Sequence, residues 1–236
     1  MGFGGANGVP SQYEDSRPAA TAPAGVLRVV IADDHPFYRQ GLARLLEHSG
    51  VEVVGQAANG VAAIELVERS APDVAVVDLN MPGMSGVEVT RRLNERMPAS
   101  RVLVVSVSAQ EDDVTEAILA GASGYVLKDG PVEEVIAGIQ AAAAGESLLS
   151  PRIAATLLDR IRDREKAEPD LPPIPVSDRE LEVLGLVAEG RGNQEIGESL
   201  RIGAGAVAKH VSSVLMKLHV ENRVEAAMRS VRPHAE

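Results

Sequence analysis

Five short apolar runs dense in β-branched residues constrain this chain more than any other feature: Leu27–Asp33, Val51–Ala57, Val74–Asp78, Arg101–Val107 and Gly124–Lys128. Each is apolar almost throughout rather than alternating, the pattern of a strand covered on both faces. Helical patterns separate them. Phe37, Leu42, Leu45 and Leu46 mark the first, Val114, Ala117 and Ile118 a later one, and Val132, Val135, Ile136 and Ile139 recur at i, i+3, i+4, i+7. Five strands alternating with five helices in about 120 residues predict a doubly wound parallel α/β sheet. Aromatic residues are only 2% of the chain, so its cores must be built from Val, Leu, Ile and Ala.

The flanks read differently. Residues 1–25, rich in Gly, Pro and Ala without periodicity, are expected to be a disordered tail. They lack the basic and apolar regions of a signal peptide, and no apolar run approaches the ~20 residues of a membrane helix, so a cytoplasmic protein without a membrane partner is expected. With Cys 0, disulfides, iron–sulfur clusters and thiolate zinc sites are excluded. A first domain is assigned to 26–146. Residues 147–176 form a linker: Ser150-Pro151 starts a helix carrying Ile153, Leu157 and Ile161, and Pro169, Pro172, Pro173 and Pro175 stiffen the stretch after it. Residues 177–236 read as a small all-α domain. Ser177 and Glu180 form a capping box, Asn193 begins a second helix, Val207, Val211, Val214, Leu215 and Leu218 stripe a third, and Asn222 with Glu225 suggests the cap of a fourth. This segment holds 8 Lys+Arg and 9 Asp+Glu, a net of −1, so −10 of the chain's −11 belongs to the first 176 residues.

Polar residues fall at the carboxyl ends of the predicted strands. Asp33 and Asp34 follow the first, Asp78 the third, Ser106 lies near the end of the fourth and Lys128 ends the fifth. In the flavodoxin-like order 2-1-3-4-5, strands one and three are neighbours at the topological switch point, and these side chains converge on one crevice. Three carboxylates in water-poor space repel one another, and a hard divalent cation such as Mg²⁺ resolves the repulsion. A lysine there adds positive charge for a phosphoryl group, and a carboxylate can serve as nucleophile to give an acyl phosphate. A single Asp after a strand would read as a turn residue; the full set, each at a carboxyl end, does not.

The motifs IADDHPFYRQGL, VVDLNMPGMSGVE, VVSVS and GYVLKD resemble, in order and spacing, the receiver domain of two-component response regulators over about residues 27–145. The resemblance implies that Asp78 is the phosphoacceptor. Asp34 would bind Mg²⁺ directly, Asp33 through water and Asn80 through its backbone carbonyl, while Lys128 would contact the phosphoryl oxygens. Ser106 and Tyr125 match the family's switch pair, the hydroxyl moving to the phosphate and the ring swinging into the vacated space. The Lys128-Asp129 pair looks like the NarL/FixJ subfamily.

Residues 190–218 pair a short helix, a tight turn and a longer helix, a pattern that fits a recognition helix in the major groove and also occurs as a plain packing unit. The face opposite its apolar stripe centres on Lys209, flanked by Gly205, Ser212, Ser213 and Met216, with Lys217 further round. VSDRELEVLGLVAEG, NQEIGESL and VAKHVSSVLMKLHVENRVEAA closely resemble the LuxR-type helix-turn-helix. The family's Ser-Glu-Lys-Thr-Val-Lys is replaced here by Gly203-Ala204-Gly205-Ala206-Val207-Ala208, which removes a cap and potential DNA contacts. Asn193, Lys209, Ser212, Ser213 and Lys217 are the expected DNA-contacting residues. The whole reads as a phosphorylation-switched, DNA-binding transcriptional regulator rather than an enzyme with its own substrate. The resemblance implies that a sensor histidine kinase would feed it and that it would pair as a homodimer on double-stranded promoter DNA. Two rivals stand beside it. One is a Mg²⁺-dependent phosphohydrolase of the haloacid-dehalogenase type, in which an Asp two residues past the nucleophile moves a proton; Asn80, at that position, cannot. The other is a phospho-regulated protein-interaction module with weak or no DNA binding.

Overall fold

The structure is a computed structural model and describes residues 25–167 and 175–231. Strands β1 (Arg28–Ala32), β2 (Glu52–Ala57), β3 (Val74–Val77), β4 (Arg101–Ser106) and β5 (Gly124–Leu127) form one parallel sheet in the order β2-β1-β3-β4-β5. Helices α1 (Pro36–His48), α2 (Gly60–Ser70), α3 (Gly86–Arg96), α4 (Glu111–Leu119) and α5 (Val132–Ala143) alternate with the strands, as the sequence pattern predicts. Side chains of successive strand residues point to opposite faces. Val29, Ile31, Val74, Val76, Leu103 and Val105 therefore pack with α1 and α5, while Val30, Ala75, Val77, Val102 and Val104 pack with α2, α3 and α4. Each fully buried Val contributes about 1.5–3 kcal/mol relative to exposure.

Two expectations about this layer change. The run at β2 reads as covered on both faces, yet Glu52 and Gln56 are exposed, because β2 is the outermost strand. Phe37 and Leu45 read as core, yet they are 92% and 48% exposed; α1 packs instead through Leu42, Ala43 and Leu46.

Beyond α5, Leu149 pairs with Tyr125 in an isolated parallel bridge, and helix α6 (Pro151–Ala167) follows. Ile153, Leu157 and Ile161 are at most 1% exposed. They share one continuous apolar core with Val114 and Ile118 of α4 and with Val183, Leu184 and Val187 of α7 (Asp178–Ala188). The helix read as a linker is thus packed between the two parts of the chain. The tail at 1–24 and the Pro-rich stretch at 168–174 lie outside the described residues.

The C-terminal domain continues with α8 (Asn193–Leu200) and α9 (Ala204–Val231). The expected fourth helix is corrected: no break occurs at Asn222, and the third and fourth predicted helices are one. An Asn-x-x-Glu pair caps a helix only where the chain has already left helical geometry. Between Leu218 and Asn222 there is no Gly or Pro to make it leave. The side chains of this last stretch, from residue 219 on, lie outside those described.

Candidate phosphoryl-acceptor site and DNA interface

Parallel pairing brings the acidic residues together. Ala32 pairs with Val77, so the residues after them, Asp33 and Asp78, emerge side by side, and the Asp78 N–H donates to the Ala32 carbonyl at 2.8 Å. Lys128 follows β5 in the same way, its N–H donating to the Ser106 carbonyl at 2.8 Å. The Lys128 ammonium then lies 2.7 Å from Asp33 Oδ2 and 2.8 Å from Asp78 Oδ2, with all three side chains almost fully buried. Burial pushes the Asp78 carboxyl above its ordinary range, with Asp33 adding to the rise; Lys128 and the Asn80 backbone N–H oppose it.

Asp33, Asp34, His35 and Asp78 hold potential ligand atoms within 4.8 Å of one another. Asp78 Oδ1 is buried without a hydrogen-bond partner. An orphaned carboxylate oxygen among hard oxygen donors fits a small divalent cation, since a buried acceptor left unpaired is costly.

Ser106 is fully buried, and its Oγ accepts the Ser108 N–H at 3.2 Å. Tyr125 is also fully buried, with its hydroxyl donating to the Ser108 carbonyl at 2.8 Å. Burial, with Asp113 and Asp78 nearby, raises its pKa to about 12 against a hydrogen bond with Ser106. The ring expected to swing inward already lies inside, over the loop that joins β4 to α4.

Several residues here escaped the sequence reading. Tyr38 lies with its ring centre 4.8 Å from Lys128 Nζ, and burial, then Asp33 and Asp78, raises its pKa to about 12. His35 Nδ1 stands 2.7 Å from Asp34 Oδ1. Arg39 donates to the Asp33 carbonyl. Gly86 begins α3, and a Cβ there would sit 2.1 Å from the Asp78 carbonyl oxygen. All but Gly86 belong to HPFYR, directly after the Asp pair, and that adjacency was the available signal.

In the C-terminal domain both halves of the Ser177–Glu180 capping box form. Ile196, Val207, Val211 and Val214 make the shared core of α8 and α9. The turn between them passes through Arg201 at φ +56° and folds tightly over Gly197, where a Cβ would lie 2.7 Å from the Ile202 carbonyl oxygen. Of the expected DNA contacts, Lys209 is exposed and Asn193 is half-exposed at the start of α8. Ser212 Oγ donates to the Ala208 carbonyl at 2.9 Å. Lys217 is placed elsewhere: its ammonium lies 2.8 and 2.7 Å from the two oxygens of buried Glu180. Burial raises the Glu180 carboxyl, but hydrogen bonds from Lys217, Ser177 and Ser213 outweigh it and hold the pKa at about 2. Ser213 and Lys217 thus face α7, leaving Lys209 and Ser212 on the other side of α9.

That other side meets the first domain. Helix α9 packs against α4. Ser212, Leu215 and Met216 line a cleft of about 340 Å³ with Asn94, Arg101 and Glu146. At the start of α9, a Cβ on Gly205 would stand 3.3 Å from Glu146 Oε1. Part of the surface expected to enter a DNA groove, at Gly205, Ser212 and Met216, is thus turned toward the first domain, while Lys209 at its centre stays exposed.

Residues 29–140 match the response regulator receiver domain, and residues 175–230 match the bacterial regulatory proteins of the luxR family. The chain is 38% identical over 210 residues to the transcriptional regulatory protein LiaR of Bacillus subtilis, covering 89% of this chain and 99% of that one. It is 39% identical over 202 residues to the nitrate/nitrite response regulator protein NarL of Escherichia coli, covering 85% and 93%. Among solved structures, a LuxR-family two-component response regulator from Aurantimonas sp. aligns with TM-score 0.55 at 36% identity, over 58% of this chain and 98% of that one. The response regulator RcsB in complex with DNA aligns with TM-score 0.54 at 25% identity, over 83% and 93%. A receiver followed by a helix-turn-helix is the composition of a two-component transcriptional regulator. The chain belongs to the NarL/FixJ-type response regulators, and the interaction-module reading falls behind. Among the described residues no helix is long and apolar enough to cross a membrane.

Proposed function

We propose that Asp78 accepts a phosphoryl group from a sensor histidine kinase and that the acyl phosphate releases the DNA-reading face of α9. The observation that carries this reading is the Asp78 carboxylate itself: one oxygen is clamped by Lys128 and the other is buried without a partner. In phosphotransfer Asp78 Oδ1 attacks phosphorus, the donor's phosphorus–nitrogen bond breaks, and the donor imidazole leaves. Lys128 stays on the same carboxylate and faces the new phosphoryl oxygens. Asp33, Asp34, Asp78 and the Asn80 carbonyl would hold Mg²⁺, which supplies charge compensation for the transferring group. The exposed Phe37 and Leu45 line a groove of about 250 Å³ with Tyr38 and Lys128, an apolar surface beside the acceptor that suits a docking donor.

Ser106 and Tyr125 share the β4–α4 loop and couple it to the site; a phosphoryl group that draws the Ser106 hydroxyl disturbs the loop that Tyr125 holds. Helix α4, which follows this loop, carries α9 on its surface. Movement there frees Gly205, Ser212 and Met216 beside the exposed Lys209, and a homodimer places two such helices on promoter DNA in the cytoplasm. The chain's chemistry is its own phosphorylation and dephosphorylation, with no separate substrate. The test is transfer of radiolabelled phosphate from a matched kinase with Mg²⁺. Wild type should gain an acid-stable, base-labile label and Asp78→Asn none; equal label on both would overturn the assignment.

A further inference from the structure

Helix α6 touches the receiver through more than its apolar stripe. Beside Ile153, Leu157 and Ile161 runs a polar stripe of Arg152, Thr156 and Arg160, spaced one turn apart. Thr156 Oγ1 lies 3.5 Å from the Ala109 carbonyl oxygen, and Arg160 Nη1 lies 3.3 Å from Glu111 Oε1. The stripe therefore lies along the β4–α4 loop, the loop that holds Ser108 against Tyr125. Arg152, at its amino end, lines an open cavity of about 580 Å³ with Asn80, Val107, Ser108 and Asp113. Asn80 lies two residues past Asp78, and its backbone N–H lowers the Asp78 pKa, so this cavity borders the phosphoacceptor from the α4 side. Arg152 is exposed, and its guanidinium has no hydrogen bond or ion pair among the described residues.

The charges around Asp78 give that arginine a purpose. Lys128 holds Oδ2 from the β5 side, while Asp33, Asp34 and Asp113 add negative charge around the cleft. A phosphoryl group brings roughly −1.5 to −2 more. Guanidinium presents a planar fork that matches phosphoryl oxygens and keeps its charge at any accessible pH. We propose that Arg152, supplied by the helix between the domains, is a phosphoryl-binding residue of the receiver. When Asp78 carries the group, Arg152 takes one of its oxygens from the side opposite Lys128. Since α6 shares a core with α7, this contact gives phosphorylation a direct grip on the helix that supports the DNA-binding domain. The inference rests on the reading of Asp78 as phosphoacceptor.

The test titrates the full chain with beryllofluoride, a stable phosphoryl analogue, in the presence of Mg²⁺, with the bound fluoride followed by ¹⁹F nuclear magnetic resonance. Arg152→Gln should weaken apparent affinity about tenfold, the low end for a hydrogen bond to a charged group. Arg152→Lys should fall between the two. Arg160→Gln, on the same stripe but paired with Glu111, should bind as wild type, and all variants should keep the wild-type thermal midpoint. Unchanged affinity in Arg152→Gln would overturn the proposal. So would an equal loss in Arg160→Gln, which would assign the effect to docking of α6 as a whole. If wild type binds no more fluoride than Asp78→Asn, the phosphoacceptor reading has failed instead.

Discussion

Replacing Lys217 by Met removes a cation held against a buried carboxylate. Glu180 is 4% exposed, and its oxygens accept from Ser177 as well as from Lys217. At full value, a pKa of about 2 against the ordinary 4.5 corresponds to roughly 3 kcal/mol, at about 1.36 kcal/mol per unit. The Lys217 side chain is 31% exposed, so solvent screens its share, and a loss of about 1–2 kcal/mol is expected. Because the folded pKa is the lower one, the contribution is fully present above pH 4.5 and disappears as pH falls through about 2. Urea unfolding followed by circular dichroism, from pH 7 downward, should show a destabilised variant whose deficit shrinks toward low pH. A variant as stable as wild type at pH 7, or a deficit independent of pH, would refute the clamp. If Lys217 were instead a DNA contact, the variant would lose DNA affinity at unchanged stability.

Three further outcomes follow from the same geometry. Gly86→Ala should impair phosphorylation and lower the thermal midpoint, because its Cβ would press on the Asp78 carbonyl; normal labelling would show that the β3–α3 loop yields easily. Glu146→Lys should raise DNA binding by unphosphorylated protein and leave the phosphorylated form near wild type, as judged by gel shift at one salt concentration; unchanged basal binding would mean that this contact does not hold the closed arrangement. The chain contains Cys 0, so Glu146→Cys with Gly205→Cys can be bridged by a short bis-maleimide. Beryllofluoride should suppress that cross-link, and cross-linking of equal extent would contradict opening.

How much of this was legible in the sequence depended on how local the cause was. The sheet was, because strands buried on both faces must be apolar on both, as Val74–Val77 are. The acidic cleft was too, because parallel strands deliver their carboxyl ends to one edge, so Asp33, Asp78 and Lys128 could be placed together from position alone. Phe37 was misplaced because helical spacing does not say whether a face meets the core or a partner. Lys217 looked like a free cation because its partner, Glu180, is 37 residues away in sequence. The run Gly203-Ala204-Gly205-Ala206 read as a loss of DNA contacts. In the structure the receiver also approaches this run, and a Cβ on Gly205 would stand 3.3 Å from Glu146 Oε1.

Phosphorylation of Asp78 should expose the reading face of α9, and selection from a random pool of duplex DNA reads that exposure out. Full-length wild type and Asp78→Asn would each be incubated with the pool, with and without a phosphodonor and Mg²⁺. Enrichment of a motif built from two related half-sites is expected for phosphorylated wild type alone. Enrichment of the same motif by Asp78→Asn, or by unphosphorylated wild type to the same extent, would contradict it.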